Sequence, residues 1–394
     1  IECSTRPPLT GVRYNPTTGE HRLEMNLDAV YFYSDGRDMS CCVATIQPIG
    51  VNISISRCQF FNGSWFLSRE HQFLFVRCSD FKMTPVYENL HATPVKFRKI
   101  KKKSTSEKKM NVLLLGFDSM SRLNLYRTMP KTVDFLHSLG WTEMKGFNKV
   151  GDNTLPNLMS LLTGLPLPRS QVAYFDYFDQ LPFVWKDFSS AGYVTVYAED
   201  KPYLETFSGD LPGFKNPPTD YCTRSFFLFG EKYFVNNDTG TECLGLQSPT
   251  EHLFKYLLDF VTVHEDEPFF GFFWANHFSH NDLNKPASED VHVLKLMQQL
   301  SSLEVMKNTM VIFLSDHGLR VGAMRKTNIG WYEDRLPFLF IALPEWYKAR
   351  HELRFRNLQE NANKLVSPYD LYSTMLHVLQ NGVWESSPGC KTCQ

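Results

Sequence analysis

The sequence predicts an α/β protein, in which a doubly wound, mostly parallel sheet follows a small β-rich N-terminal domain braced by disulfides. After residue 110, short and fully apolar stretches alternate with segments whose apolar residues recur every three or four positions. That alternation is typical of parallel strands covered by helices on both faces. Before residue 98, apolar and polar residues alternate over short stretches, as half-buried strands do, and five of the nine cysteines occur there.

These patterns divide the chain into four segments. We expect a β-rich domain over residues 1–98, with strand patterns at 51–56 and 72–77 and an Asn62-Gly63 turn between them. A lysine-rich stretch then predicts an exposed basic linker over 99–110. The catalytic domain is predicted over 111–385, and a cysteine-containing tail over 386–394.

Within the catalytic domain, the two periodicities place individual elements. The predicted strands are 112–117, 194–197, 269–274, 310–314 and 338–343. The predicted helices are 132–139, 155–162, 252–260, 291–303 and 369–379.

Composition limits the class of protein. The chain has 394 residues, of which 43% are hydrophobic, so it can bury a large core. Its formal net charge of -1 gives no global reason to expect nucleic acid as a partner.

Cysteines and glycosylation sequons indicate an oxidising compartment. Nine cysteines occur together with sequons at Asn52, Asn62 and Asn237, which favours a disulfide-bonded glycoprotein of the Golgi lumen or the cell exterior. For Cys390 and Cys393, a disulfide is favoured over a zinc ribbon because no second pair of matching spacing lies nearby. The connectivity stays open, and the odd count leaves one thiol free or paired outside this chain.

The sequence contains no apolar run near the ~18 residues of a membrane-spanning helix. Because the chain begins at Ile1, we expect that a signal peptide, or an N-terminal membrane anchor outside this chain, has been removed. Soluble secretion and release from a Golgi-type anchor both fit.

Acidic residues follow two of the predicted strands directly. Asp118 comes after strand 112–117, and Asp316 and His317 come soon after strand 310–314. Ligand sites in such sheets lie beyond the carboxyl ends of the strands, and carboxylate oxygens with an imidazole suit a divalent cation such as zinc. Each motif alone has a simpler interpretation, since a strand-end Asp often caps a helix and Asp-His-Gly can form a turn.

A threonine stands at the predicted start of the helix that follows. Thr154 is the expected N-cap, with Pro156 in the first turn and Gly164 at the stop. A hydroxyl at a helix N-terminus faces free backbone amides that suit a phosphate or sulfate group. Capping is the commoner role of such a threonine, but a metal beside it would make Thr154 a nucleophile.

Taken together and in order, these motifs resemble a known family. The segments FDSMSR at 117–122, NTLPN at 153–157, SDHGLR at 315–320 and EDRLP at 333–337 are similar to those of the animal family DUF229. That family is sulfatase-like in fold and is a branch of the alkaline phosphatase superfamily. The resemblance covers residues 112–379 and, through the terminal cysteines, extends toward the whole chain. It implies a Golgi-directed or secreted protein.

The resemblance also implies a metal site. Asp118, Asp316 and His317 would be ligands of one Zn2+, with the Thr154 oxygen bound to the same ion.

A second zinc ion is left open by the same resemblance. In the two-zinc branch, an Asp and a His four residues later bind the second ion, and here Asn276 replaces that Asp while His280 fits the second position. His277 and Asp282 are further candidates without an assigned role, and a packed strand-end position is an equal alternative for His277. No later histidine counterpart precedes Pro337, so the site holds one or two ions.

The residue at position 154 distinguishes between the possible esters. Sulfatases make formylglycine from Cys or Ser in a Cys/Ser-x-Pro-x-Arg sequence, whereas this chain has Thr154 and lacks the arginine. Threonine with Asp-His resembles phosphodiesterases and phosphoethanolamine transferases instead. The hypothesis is attack of Thr154 on a phosphodiester of a glycan or glycolipid, through a phospho-threonine that is released to water or to an acceptor alcohol.

Other side chains would assist this reaction. His280 or His277 would transfer a proton or contact the transferred group, and Lys326 or Arg122 would neutralise the nonbridging oxygens. Both cations could equally be surface charges.

Two alternative functions remain. A sulfoester hydrolase acting on glycosaminoglycans is supported by the Lys326 region and by residues 366–374, and it is opposed by Thr154. An inactive binding protein of the same fold is supported by Asn276 and by the missing late histidine.

Overall fold

The structure is a computed structural model that describes residues 3–34, 38–96, 109–166, 172, 174–235 and 242–380. Most of the predicted linker, the Asn237 sequon and the tail with Cys390 and Cys393 lie outside these residues. The strands, in chain order, are β1 Thr10–Asn15, β2 Glu20–Met25, β3 Met39–Ile49, β4 Asn52–Ile55, β5 Gln59–Phe61, β6 Ser64–Leu67, β7 Phe73–Asp80, β8 Pro85–Ala92, β9 Asn111–Phe117, β10 Thr142–Glu143, β11 Val194–Glu199, β12 Tyr221–Cys222, β13 Phe269–Ala275, β14 Thr309–Ser315 and β15 Leu339–Ala342.

The helices fill the connections between these strands. They are α1 Tyr31–Ser34, α2 Arg122–Thr128, α3 Pro130–Ser138, α4 Thr154–Thr163, α5 Val184–Ser190, α6 Arg224–Phe234, α7 Pro249–Val263, α8 Asp290–Ser302, α9 Asn328–Arg335, α10 Glu345–Arg350, α11 Glu352–Asn361 and α12 Pro368–Leu379. Among the described residues, no helix combines the length and the apolar character that crossing a membrane requires.

The central sheet has seven strands in the order β10-β15-β14-β9-β13-β11-β12. Strands β14, β9, β13, β11 and β12 run parallel, and β15 and β10 complete one edge through antiparallel pairing. Alternate residues of β9 enter opposite cores, which explains why the strand is apolar throughout. Leu113 and Leu115 pack with α3, α7 and α8, while Val112 and Leu114 pack with α4, α5 and α12. The predicted doubly wound, mostly parallel α/β sheet is confirmed.

All five predicted strands and all five predicted helices of this domain are present, with shifted ends. The largest shift is at α7, which was predicted from position 252 and begins at Pro249. Ser248 accepts a hydrogen bond from the Glu251 amide and completes a capping box. The cap lies upstream of the apolar residues that mark a helix in the sequence, so periodicity alone places the start too late.

The N-terminal region consists of antiparallel sheets. One has the order β1-β2-β6; in the other, β4-β3-β7-β8 are joined by β5, which pairs with β3. Disulfide Cys41–Cys78 connects β3 to β7, and Cys42–Cys58 connects β3 to the residue before β5. A third disulfide, Cys3–Cys243, connects the start of the chain to the segment before α7. The predicted β-rich, disulfide-braced region is confirmed.

The larger N-terminal sheet packs against the catalytic part of the chain. Phe73 and Phe75 of β7 contact Phe226 and Phe229 of α6, with ring centroids 5.8 and 5.5 Å apart. These side chains belong to the same buried cluster as one face of the central sheet. The two predicted domains therefore share a continuous core, although their boundaries remain a prediction.

Candidate active site

Two neighbouring strand ends carry side chains whose ligand atoms converge. Phe117 of β9 is paired with Ser315 of β14, so the residues after these two parallel strands lie side by side. One carboxylate oxygen each of Asp118 and Asp316 and one ring nitrogen of His317 lie within 4.8 Å of one another. All three residues are buried. We refer to Asp118, Asp316 and His317 as the open strand ends.

Hydrogen bonds orient the side chains of Asp316 and His317 and leave Asp316 Oδ2 without a donor among the described residues. Asp316 Oδ1 accepts from the amides of Ser119, at 3.1 Å, and His317, at 2.9 Å. Its Oδ2 is buried and accepts no hydrogen bond from the described residues. His317 Nδ1 lies 2.9 Å from the Gly318 carbonyl oxygen, so Nδ1 carries the proton and the Nε2 lone pair faces Asp316 Oδ2 at 3.2 Å. A free carboxylate oxygen and a correctly oriented imidazole fit a divalent cation.

The electrostatics of Asp118 agree with that fit. Burial raises the pKa of Asp118 to about 7, and the negative charge of Asp316 adds to the increase. Two buried carboxylates this close are costly when both are ionised, and a bound cation would offset the cost.

Thr154 lies at this cluster, but its predicted role as N-cap is wrong. The N-cap of α4 is Asn153, and Thr154 is the first helical residue. Asn153 makes no capping hydrogen bond: its Oδ1 accepts from Arg320, and Pro156 at the third helical position has no N–H to donate. The Thr154 hydroxyl donates to Asp118 Oδ1 at 3.2 Å and lies 3.4 Å from His317 Nε2. The predicted helix stop at Gly164 is confirmed by its φ of 68°.

Asn157 holds the loop before Thr154, and the sequence reasoning gave it no role. Its Oδ1 accepts from the amides of Val150, at 2.7 Å, and Gly151, at 3.2 Å. Its Nδ2 donates to the carbonyl oxygens of Gly151 and Asn153, both at 2.8 Å. This buried amide supports Asn153 at its unusual φ of 78°. Its signal in the sequence is its position as the last residue of the NTLPN motif at 153–157.

His280 lies beside the open strand ends. Its Nε2 is 3.7 Å from Asp118 Oδ2, and its side chain is 26% exposed. Its Nδ1 lies 2.7 Å from Asn281 Oδ1. His280 is thus placed between Asp118 and solvent, where a substrate group could reach it.

The neighbouring strands β13 and β11 end differently. Asn276 donates from its side-chain Nδ2 to Glu199 at 3.0 Å and from its backbone N–H to Asp200 Oδ1 at 2.7 Å. Glu199 also accepts from Tyr197 and Thr206, so its oxygens are occupied by hydrogen bonds. We refer to Asn276, Glu199 and Asp200 as the closed strand ends.

Burial also disfavours the ionised forms of Glu199 and Asp200 at the closed strand ends. Burial raises the pKa of Glu199 to about 7 and that of Asp200 to about 6. The rule that identified Asp118, an acid directly after an apolar strand, could have identified this pair as well. No metal-ligating group of three acidic, histidine or cysteine residues forms here within the described parts of the chain.

His277 points to a different set of partners from His280. Its Nε2 lies 2.7 Å from Glu242 Oε2, which also accepts from Lys285 Nζ at 2.7 Å. Burial and then the charge of Lys285 lower the pKa of His277 to about 4, so it is neutral at physiological pH. Asp282 is exposed and accepts from backbone amides in a turn. The structure therefore groups neither residue with the open strand ends.

The two predicted phosphate-neutralising cations have the following surroundings. Arg122 donates from Nε to Glu143 at 2.6 Å, and Lys326 is exposed in a single turn before α9. The structure instead brings Arg320 to the residue before Thr154. Arg320 ends the SDHGLR motif, and that position is the signal that sequence reasoning left unused.

Several solved structures are similar to this chain in fold. Lipoteichoic acid synthase LtaP from Listeria monocytogenes is 14% identical, with 74% of this chain and 76% of that chain covered and a TM-score of 0.49. The C-terminal periplasmic domain of phosphoethanolamine transferase EptC from Campylobacter jejuni is 11% identical over 69% and 90%, with a TM-score of 0.42. The PsFucS1 sulfatase from Pseudoalteromonas sp. is 15% identical over 69% and 68%, with a TM-score of 0.42. Likeness at this level does not determine an activity.

A comparison with curated protein sequences finds no match. A family model described as "Protein of unknown function (DUF229)" matches residues 1–387. The match spans nearly the whole chain, including both the disulfide-braced region and the open strand ends. The resemblance expected from the motifs is confirmed, and the chain belongs to the DUF229 family.

Proposed function

We propose that this protein is a zinc-dependent phosphodiester hydrolase or phosphoethanolamine-type transferase that uses Thr154 as its nucleophile. The observation that carries the proposal is the position of the Thr154 hydroxyl, 3.2 Å from Asp118 Oδ1 and 3.4 Å from His317 Nε2. A hydroxyl surrounded by oriented ligand atoms is the arrangement that nucleophilic catalysis with a metal requires.

Asp118, Asp316 and His317 would hold the ion. When bound, a divalent cation lowers the pKa of a neighbouring hydroxyl and offsets negative charge that develops on an ester oxygen. The buried and unused Asp316 Oδ2 supports this assignment, and so does the hydrogen bond that aims His317 Nε2 at the cluster. The zinc content of the purified protein determines whether one or two ions bind.

The protein's own groups account for the transfer. The bond from Thr154 Oγ1 to phosphorus forms as the bond from phosphorus to the leaving alcohol breaks, which gives a phospho-threonine. The hydrogen bond to Asp118 orients the hydroxyl for this attack. His280 is half-buried beside Asp118 and is placed to give a proton to the departing alcohol. The proton of the Thr154 hydroxyl would be released to solvent before the attack. In the second half, water or an acceptor alcohol takes the phosphoryl group from Thr154 and gives its proton to His280, which restores both residues.

We further propose a phosphorylated glycan or glycolipid of the secretory pathway as the substrate. Three disulfides are typical of a protein that folds in an oxidising compartment. The sequon residues Asn52 and Asn62 are both exposed, as glycosylation requires. Glycans and glycolipids are the phosphate-bearing acceptors that such a compartment supplies.

The experiment measures metal content and substrate class together. Zinc would be quantified in the purified protein, and turnover would be measured with an aryl phosphodiester, an aryl phosphomonoester and an aryl sulfate. We expect bound zinc and cleavage of the phosphodiester, with Thr154→Ala inactive and still folded. Turnover of the aryl sulfate alone would establish the sulfatase alternative, and a protein that binds no metal would rule out both enzymes.

A further inference from the structure

Arg320 is a half-buried cation directly beside the proposed nucleophile. It lies three residues after His317, and its Nη1 donates to the side chain of Asn153, the residue that precedes Thr154. Asn153 and Thr154 are consecutive residues, so the guanidinium is hydrogen-bonded to the immediate neighbour of the proposed nucleophile.

Three other cations around this loop are paired with carboxylates. Lys149 Nζ lies 2.9 Å from the buried Asp334, which also pairs with Arg325 at 3.1 Å and Arg335 at 3.0 Å. Lys149 pairs with Asp152 as well, at 2.7 Å. Each of these three cations thus has a carboxylate partner within the protein, although the three share only Asp334 and Asp152.

Arg320 differs from these cations in both of its interactions. Its hydrogen-bond partner Asn153 is neutral, and no ion pair joins it to a carboxylate within the described residues. The pKa of the nearby Asp152 is lowered by Lys149 and, less strongly, by the charge of Arg320. Its Nε is buried and donates to no acceptor there. A buried, charged donor left without an acceptor is costly, so its presence indicates a group that the folded chain does not itself supply.

We propose that Arg320 binds the nonbridging oxygens of the phosphoryl group that Thr154 attacks. This inference rests on the proposed function and names the residue that recognises the oxyanion. Two carboxylates balance one divalent cation, so a phosphodiester monoanion at the open strand ends still lacks a counter-charge. The planar guanidinium supplies that charge, with donors spaced to match two oxygens of a tetrahedral anion.

The arrangement of Asn153 adds to this subsite. Its Oδ1 accepts from Arg320, and its side chain does not cap the first turn of α4. The N-terminus of that helix favours an anion through its dipole, which adds to the charge of Arg320. Arg320 thus takes the role that the sequence suggested for Arg122 and Lys326, one of which is paired with Glu143 while the other is exposed.

Binding of inorganic phosphate to the zinc-loaded protein, measured by calorimetry, tests the assignment apart from catalysis. We expect Arg320→Met to weaken phosphate binding at least ~10-fold and to lower kcat/KM for the phosphodiester about 100-fold, with zinc content unchanged. Arg320→Lys should recover part of the phosphate affinity because it restores the charge without the planar geometry. The matched control is Arg325→Met, which removes a carboxylate-paired cation of the same loop region and should leave phosphate affinity within about twofold.

A second variant keeps the test decisive if Arg320→Met does not fold. Asn153→Asp gives Arg320 the carboxylate partner that it lacks, and phosphate affinity should fall at least ~10-fold in a folded protein. Unchanged phosphate affinity in folded Arg320→Met, or in Asn153→Asp when the first variant does not fold, would overturn the assignment, whatever the wild-type protein cleaves. Failure of the wild type to cleave any phosphoester would instead overturn the proposed function, and a loss of phosphate affinity in Arg320→Met would still support the oxyanion subsite.

Discussion

Two adjacent pairs of strands in one sheet both end in buried carboxylates, but the hydrogen bonding of these carboxylates differs. At the open strand ends, Asp316 Oδ2 has no hydrogen-bond donor within the described chain and faces His317 Nε2. At the closed strand ends, Glu199 and Asp200 accept from backbone amides, hydroxyls and Asn276. Both pairs bury carboxylates whose pKa values are raised.

The difference lies in where the hydrogen-bond donors are, not in the number of acids. A carboxylate with all its lone pairs occupied stabilises the fold, while one with a free oxygen can bind a cation. Asn276 is central to this difference because its amide group donates to Glu199, which an aspartate at the same position could not do. We therefore infer that the closed strand ends stabilise the fold, whereas the open strand ends are able to bind a cation.

The largest expected effect is loss of the metal on Asp316→Asn. Replacing the free oxygen with an amide removes a ligand, so zinc affinity should fall at least ~100-fold and turnover about 1,000-fold. Elemental analysis after dialysis and initial rates measure the two effects. Full zinc occupancy in this variant would show that the open strand ends are not the metal site.

The reciprocal exchange, Asn276→Asp, tests the closed strand ends. It places a third buried carboxylate beside Glu199 and Asp200, and we expect a loss of about 3 kcal/mol in the free energy of unfolding. Urea unfolding of the zinc-loaded protein measures the loss, and Asn361→Asp at an exposed helix end is the control. A gain of one further zinc ion with no loss of stability would refute the structural role.

The His280→Gln variant tests whether His280, on the exposed side of the open strand ends, contributes to turnover. The variant removes the group placed to protonate the leaving alcohol, so kcat should fall about 100-fold for a poor leaving group and less for a good one. The control is His292→Gln, since His292 is exposed and pairs with Glu289 on a distant helix. A fall in zinc content from two ions to one would show that His280 is a metal ligand instead, and equal rates for both variants would exclude either role.

Asn157→Ala tests whether the open strand ends depend on the loop before Thr154. The amides of Val150 and Gly151 lose their acceptor, which should cost about 2 kcal/mol of stability. We expect kcat to fall about tenfold with KM and zinc content little changed, because Thr154 is held less well. A loss of stability without a change in kcat would mean that Asn157 supports only the fold.

The smallest expected effect is the pH dependence of the closed strand ends. The pKa of Glu199 is raised from 4.5 to about 7, so between those values the folded protein binds more protons than the unfolded chain. Stability therefore falls as the pH rises through this interval. Glu199→Gln should remove most of that dependence, measured as the change in the free energy of unfolding between pH 5 and pH 8. Glu352→Gln on an exposed helix is the control, and the same pH dependence in both variants would contradict the assignment.

Much of this fold could be predicted because burial on both faces leaves a plain record in the sequence. The strands of the central sheet are apolar at nearly every position, and β9 and β14 are completely buried. Element ends were less accurate, as at α7, since capping residues lie outside the periodic pattern. In the N-terminal region, the Asn62-Gly63 turn connects β5 and β6, which belong to different sheets, and short alternating strands do not encode their partners.

The sequence by itself determined that Asp118 and Asp316 would meet. Both follow buried strands, and parallel strands bring their carboxyl ends to the same edge of a sheet. Only the tertiary structure decided which polar atoms stay free. Arg122 and Arg320 look equivalent in the sequence, yet Arg122 is ion-paired with Glu143, whereas Arg320 donates to the neutral side chain of Asn153 beside Thr154 and has no ion pair among the described residues. Charge and hydrogen-bonding capacity belong to a residue, but whether they are already used depends on neighbours that are distant in the chain.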